Sequence, residues 1–437
     1  MNEERLIERM REDWNARARE DAHYWVAFGR RGQDEEEFQA TAHEIARSLE
    51  LELKRLPKPA SEARRALEIG CGPGRLMLPL ARHFAEIHGV DISEEMIRLA
   101  RRRLSGITNA FAHHAPGSDL SAFPDEHFDF VYSYAVFQHI PAREIVFRYF
   151  RQTRRVLKVG GVARFQVNGL PESAPQYDTW CGVRIQAREL AAFARENDFQ
   201  LLALEGPETQ YLWTTWRKRP PGWAEALASL DPPRAAIRRI TNAFSGEPVA
   251  PVRGRFASVS LWVAELTEEA DLNALRVMVG GREGFVTYIG PAAADGVVQV
   301  NALLPEGLET GLQPVELCWF KRPISPPATL RLIPPGPAIP RVASVTDGVD
   351  LLSTEVISSG VIKAAVEEIA EPERLEARLD GEPLEAAERF LADPRLPKWE
   401  INYRVPAGRG PGRFRFELRL GRRVLAVREL EVIKASG

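Results

Sequence analysis

The stretch Leu67-Glu68-Ile69-Gly70-Cys71-Gly72-Pro73-Gly74-Arg75 decides how this chain is read. An apolar strand runs into a loop with glycine at alternate positions, and a helix follows. Glycines without a Cβ let the backbone turn sharply and approach a ligand closely. The helix N-terminus beyond the loop offers unpaired N–H groups and partial positive charge. The spacing is GxGxG with an acid, Glu68, two residues ahead of it, whereas dinucleotide sites favour GxGxxG. About twenty residues further on, Ile87-His88-Gly89-Val90-Asp91 ends a second strand on a carboxylate. An acid there can accept both hydroxyls of a ribose, which favours a nucleoside without a 2′-phosphate.

Outward from this loop, short strands and helices alternate. Strands are expected at 66–69, 87–91, 128–134 and 162–168, and helices at 75–84, 94–104, 143–157 and 187–197. That alternation predicts an α/β domain, a doubly wound parallel sheet with helices on both faces. Two further strands, 199–204 and 211–217, have no helix between them and should pair antiparallel at one edge.

Four successive segments resemble the class I S-adenosylmethionine-dependent methyltransferases: LEIGCGPGRLMLPLA, GVDISEEMIRLARRRL, DLSAFPDEHFDFVYSYAVFQHIP and RVLKVGGVARFQVNG. The resemblance implies a Rossmann-like fold and S-adenosyl-L-methionine as cofactor. It implies that Gly70, Gly72 and Gly74, with Cys71 between them, line the methionine and ribose part of that cofactor. Glu68 would support the loop and reach the amino group through water. Asp91 would bind the ribose and Ile92 would cover one face of the adenine. At the adenine edge the sequence departs from its relatives, because Pro116 stands where a polar side chain is usual and has no N–H. The backbone of Gly117 or Ser118 is the expected contact, with Asp119 capping the turn.

Reactive groups belong at the carboxyl edge of such a sheet. Tyr134, His139 and Asn168 fall there. His139 is the candidate base for a hydroxyl acceptor, since a neutral imidazole with a pKa near about 6.5 suits that task. Its other reading is packing, or capping of the helix after Pro141. Tyr134 is the second catalytic candidate. His113 and His114 alternate in direction on a strand and read as surface residues. The N-terminal Trp14, His23, Tyr24 and Trp25, and the loop 169–182 with Tyr177, Asp178 and Trp180, are either packing surfaces or covers over the acceptor.

The rest of the chain sets the domain plan: a helical segment at 1–60, the methyltransferase-like domain at 61–219, a proline-bearing linker at 220–255, and β-rich blocks at 256–340 and 341–437. The first block loosely resembles an immunoglobulin-like domain, on Gly284–Gly290 and Val297–Pro305. The second shows sandwich patterning, and both have close to the roughly 100 residues of a small sandwich. Trp262, Trp319 and Trp399 read as core, the other reading being exposed aromatics for acceptor binding. A net charge of -3 points to neither nucleic acid nor a membrane surface. Three scattered cysteines suggest neither disulfides nor a metal site. No apolar run nears the roughly 20 residues of a membrane span, so a cytoplasmic protein is expected. The leading function is methyl transfer to a small-molecule or glycan acceptor, oxygen favoured, with homo-oligomerisation through the β blocks possible. The alternatives are an inactive cofactor-binding scaffold and a nicotinamide-dependent oxidoreductase.

Overall fold

In the computed structural model the described residues are 3–27, 31–57, 63–172, 177–232, 234–335, 339–349, 353–369, 371–393, 397–406 and 408–433. Pro59, Pro233, the middle of the proline-rich linker (336–338) and part of the loop 169–182 (173–176) lie outside them. The chain divides into two compact units, residues 1–20 with 41–335, and residues 21–40 with 336–437.

The first unit is built on alternation. Leu67 and Ile69 of β1 (Arg65–Ile69) enter one core, and Ala66 enters another on the opposite face. The same division separates Val131 from Phe130 and Tyr132 on β4 (Phe128–Ser133). Between them in sequence lie β2 (Glu86–Asp91) and β3 (Ala110–His114), and beyond them β5 (Leu157–Val167), β6 (Phe199–Glu205) and β7 (Leu212–Lys218). The sheet order is β3-β2-β1-β4-β5-β7-β6; β1 to β5 run parallel, and β7 lies antiparallel to both β5 and β6. Both faces are covered, one by α3 (His43–Glu52) and α5 (Glu94–Arg103), the other by α6 (Arg143–Val156) and α7 (Ala187–Glu196). The expected helix at 75–84 is shorter: α4 spans Met77–Leu80 and a 3₁₀ turn follows at Ala81–His83.

The units differ from the domain plan in three ways. The helical segment 1–60 is divided, because α1 (Glu3–Ala27) breaks at Asp21 (φ −165°, ψ 89°) and its last turns belong to the second unit. The stretch 220–255 is not a linker: after α8 (Trp223–Ser229) it supplies β8 (Ala236–Asn242) and β9 (Val249–Pro251), which pair with strands of the first β block. That block is also not a separate body. Its strands β10 (Ser258–Ala264), β11 (Leu275–Val279), β12 (Arg282–Ile289), β13 (Val298–Leu303), β14 (Gly311–Trp319), β15 (Arg322–Pro323) and β16 (Ala328–Ile333) join the sheet through Tyr288, which pairs with Ala203 on β6. Leu272 N donates to Leu201 O at 2.9 Å, and Leu201 N to Asp271 Oδ2 at 2.5 Å. Proline-rich sequence marks irregular backbone, but burial of Leu201, Leu204, Ala270, Leu272 and Ala274 in one apolar cluster decides the domain.

In the second unit a four-stranded and a five-stranded sheet share one core, with Ile362, Ile401 and Tyr403 from one sheet meeting Leu379, Phe416 and Leu418 from the other. This is a two-sheet β layer arrangement. Trp319 is fully buried, while Trp262 and Trp399 are half-buried. No helix of the described residues is long and apolar enough to cross a membrane.

Candidate active site

The glycine loop needs left-handed backbone. Gly70, Gly72 and Gly74 have φ of 72°, 52° and 80°. At Gly70 a Cβ would also stand 2.3 Å from Val136 Cγ2. The loop is tied to the second strand by Gly70 N and Cys71 N, which both donate to Val90 O at 2.8 and 3.0 Å.

Asp91 closes the arrangement. Gly72 N donates to its Oδ2 and Ser93 N to its Oδ1, each at 2.8 Å. Each oxygen keeps a further lone pair, as a ribose diol requires. Burial raises the carboxyl above the ordinary aspartate range, and backbone donors, Ser93 and Gly72 foremost, with the nearby His114 pull it back. Ile92 follows, and Gly117 (φ 88°) lies so close that a Cβ there would stand 2.2 Å from Ile92 Cδ1. Ser118 is buried beside it, and Asp119 accepts from Ser121 N and Oγ, so it caps the turn. The structure thus brings Gly70, Cys71, Gly72, Gly74, Asp91, Ile92 and Gly117 into one connected edge.

Glu68 is 3% exposed and accepts from Tyr132 Oη at 3.0 Å. Burial lifts its carboxyl to about 8, against the pull of the Tyr132 hydroxyl and the Arg75 charge. A buried acid in this state suits a ligand that brings an ammonium group. Together with the Asp91 diol site, that donor set fits S-adenosylmethionine. Arg75 is buried and donates to Thr41 Oγ1 at 2.8 Å, and its guanidinium lies 5.8 Å from the Tyr134 ring. Tyr134 stacks on Trp213 with centroids 5.4 Å apart, and burial raises its phenol.

His139 sits in a 3₁₀ turn (Phe137–His139) and is 7% exposed. Its Nδ1 is 2.7 Å from Trp180 O and its Nε2 is 3.2 Å from Gln138 Nε2. The matching tautomer is a neutral ring that donates from Nδ1 and accepts at Nε2. Gln138 Oε1 in turn accepts from Gln166 Nε2, and Gln166 Oε1 accepts from Ala135 N. Burial depresses the imidazole to about 4. Both nitrogens are occupied, and a base role requires the Gln138 contact to break. Asn168 Oδ1 likewise serves its own loop, accepting from Leu170 N at 3.1 Å.

Over this edge runs the first part of α1. Asn15 Oδ1 accepts from Ser93 Oγ (2.8 Å) and Glu95 N (3.2 Å), at the start of α5. Arg17 donates to Thr179 O and Oγ1, both at 3.1 Å, and its guanidinium lies over Trp14 and Trp180. The helix is therefore fastened on both sides of Asp91 and His139. His23, Tyr24 and Trp25 are not there: they belong to the second unit, where His23 stacks on Phe38 and Tyr24 Oη donates to Val349 O at 2.6 Å. Asn15, Arg17, Gln138 and Gln166 were missed in the sequence. Ser93 Oγ caps α5 locally by accepting from Met96 N, and no pattern in the sequence marks that Asn15 docks there.

Residues 66–161 match the model of a family described as a methyltransferase domain. Trans-aconitate 2-methyltransferase of Rhodopseudomonas palustris (strain BisB18) is 35% identical over 116 residues, 25% of this chain and 40% of that protein. Ubiquinone biosynthesis O-methyltransferase of Sinorhizobium medicae (strain WSM419) is 37% identical over 79 residues, 18% of this chain and 32% of that protein. The chain therefore spans well under half the length of these curated relatives. Among solved structures, geranyl diphosphate C-methyltransferase from Streptomyces coelicolor A3(2), in complex with Mg2+, geranyl diphosphate and S-adenosyl-L-homocysteine, is 16% identical with a TM-score of 0.36, over 49% of this chain and 97% of that one. The segment that holds the glycine loop, Asp91 and the end of β4 matches a methyltransferase-domain family, and S-adenosylmethionine is the cofactor that this match supports.

Proposed function

We propose that the chain is an S-adenosylmethionine-dependent methyltransferase that acts on a small-molecule or saccharide acceptor, with transfer to oxygen favoured. The carrying observation is the Asp91 carboxylate, set at the end of β2 by the N–H groups of Gly72 and Ser93. When bound, the cofactor supplies a methyl group activated on a sulfonium. The residues of the chain then have to hold the acceptor in line and exclude water. Trp14, Trp180 and Arg17 over the edge, with Tyr134 and Arg75 beside the loop, suit a small polar acceptor. The two curated relatives carry names of small-molecule methyltransferases, one of them an O-methyltransferase, which supports the same class. The β regions, read as immunoglobulin-like, are assigned to acceptor binding or to holding copies of the chain together.

Calorimetry with S-adenosylhomocysteine and with NAD, followed by labelled methyl transfer to a panel of hydroxy acids, phenols and sugars, tests this. Asp91→Ala should weaken S-adenosylhomocysteine by about 2–3 kcal/mol, roughly 30–150-fold. Undiminished binding by that variant, or binding of NAD instead, overturns the reading. Tight cofactor binding with no turnover across the whole panel favours the scaffold alternative.

A further inference from the structure

At the amino end of the sheet, opposite the Asp91 edge, three metal-ligating side chains converge. Glu86 and His88 lie two residues apart on β2 and so share a face, and His127 stands immediately before β4. One ligand atom from each lies within 4.8 Å of the other two. His88 Nε2 is already 3.4 Å from Glu86 Oε2. Donors bound to a tetrahedral zinc at about 2.0–2.2 Å stand about 3.4 Å from one another. One edge of that tetrahedron is therefore in place, and the others, within 4.8 Å, need closure by no more than about 1.4 Å.

We propose that Glu86, His88 and His127 form a binding site for a divalent first-row cation of the zinc class. Two imidazoles and one carboxylate are a donor set for zinc and its neighbours rather than for calcium or magnesium, which prefer oxygen alone. The supporting shell is present. His88 Nδ1 lies 3.0 Å from Nε2 of His113 on β3, with the two rings stacked at 11°. A metal-bound histidine characteristically donates its second ring N–H to an acceptor, commonly a carboxylate, carbonyl or water, which fixes its tautomer; here the His113 nitrogen takes that place. Phe123 and Phe128 stand edge-on to His88 with centroids 5.7 and 5.6 Å away, and hold the ring. Entry is from solvent, since the Glu86 side chain is 39% exposed and that of His88 is 14% exposed.

One group opposes the cation. Arg65 Nε donates to Glu86 Oε2 at 2.8 Å, the oxygen nearest His88. The nearby Lys158 is held by Asp129 at 2.8 Å. Metal and Arg65 therefore compete for Glu86, and this competition separates a built site from a chance cluster.

The test uses the full chain, untagged and stripped with chelator. It is titrated with Zn2+ by calorimetry and with Co2+ by visible absorption, with S-adenosylhomocysteine binding as the control for folding. One ion per chain is expected, with the absorption of four-coordinate cobalt. His88→Ala and His127→Ala should each weaken binding tenfold or more, and His113→Ala about 10–100-fold. Arg65→Gln should bind several-fold more tightly. Equal Zn2+ affinity in wild type and the His88→Ala/His127→Ala double variant overturns the proposal. So does weaker binding by Arg65→Gln, a result that stays readable if the histidine variants fold poorly.

Discussion

The Trp14 ring meets the His139 ring edge-on, with centroids 5.4 Å apart and planes at 72°. Trp180 covers the imidazole from another side at 4.9 Å, and its carbonyl takes the Nδ1 proton. A helix far ahead in sequence and a loop after β5 are thus joined through one histidine, which ties the cover to the carboxyl edge of the sheet.

That joint makes a prediction about His139. An asparagine can keep the donor toward Trp180 O, whereas an alanine leaves that carbonyl and the Gln138 amide without partners. His139→Ala should cost about 1–3 kcal/mol of stability in urea melts, and His139→Asn clearly less. Turnover of His139→Asn should stay within about tenfold of wild type, against the roughly 10²–10⁴-fold loss expected if a base were removed. The sign of the pH effect follows from the depressed imidazole. The unfolded chain binds the proton at about 6.5 and the folded chain only at about 4. Stability from this group is therefore present above about 6.5 and lost as pH falls toward 4, and both substitutions should remove that dependence. A loss of turnover with unchanged stability in His139→Asn would restore the histidine as base.

Glu68 gives a prediction about protons. With its carboxyl near 8, the cofactor-free chain holds the proton at pH 7, while the unfolded chain has released it. Its contribution to stability is thus present below about 4.5 and lost as pH rises through 8. An ammonium arriving nearby favours the ionised form. Binding of S-adenosylhomocysteine at pH 7 should therefore release close to one proton, seen as different calorimetric heats in phosphate and Tris buffers. Glu68→Gln should abolish the difference. Identical heats with the wild-type chain would mean that Glu68 is already ionised.

What the sequence disclosed was local. The GxGxG loop, the acid ending the second strand and the alternation of strands and helices are short-range patterns, and the left-handed φ values and the Gly72–Asp91 bond stand where they indicate. What it concealed was long-range. Asn15 reaches Ser93 across 78 residues, Arg17 reaches Thr179 across 162, and neither pairing leaves a periodic trace. His88 lies on β2 and His127 just ahead of β4, 39 residues further along, so the spacing of metal ligands along the chain shows nothing. The division at Arg219 failed for a related reason. Prolines report on local backbone, whereas the unit is set by which apolar faces cover one another.

That last point yields a prediction about where the chain can be cut. A chain ending at Arg219 keeps every proposed cofactor residue but loses the partners of β6. Leu201 N would lose Asp271 Oδ2, Leu201 O would lose Leu272 N, and the side chain of Gln200 would lose the carbonyls of Glu268 and Ala270. Leu201 and Leu204, buried against Ala270 and Leu272, would meet water along an uncovered strand edge, a setting that promotes aggregation. A chain ending at Pro335 keeps residues 41–335 whole, although residues 21–40 lose the rest of their unit. It should fold and bind S-adenosylhomocysteine as the full chain does, while the shorter one should be insoluble or strongly weakened. A single substitution probes the same seam. Asp271 is 1% exposed and accepts from the backbone N–H groups of both Leu201 and Asn273. Asp271→Ala should therefore cost about 2–4 kcal/mol in urea melts. It should also lower cofactor affinity little at temperatures where the chain stays folded, because no cofactor residue lies at that seam. If the chain ending at Arg219 were soluble, unfolded cooperatively and bound cofactor normally, the β block would be an appendage and the shared core would carry no stability.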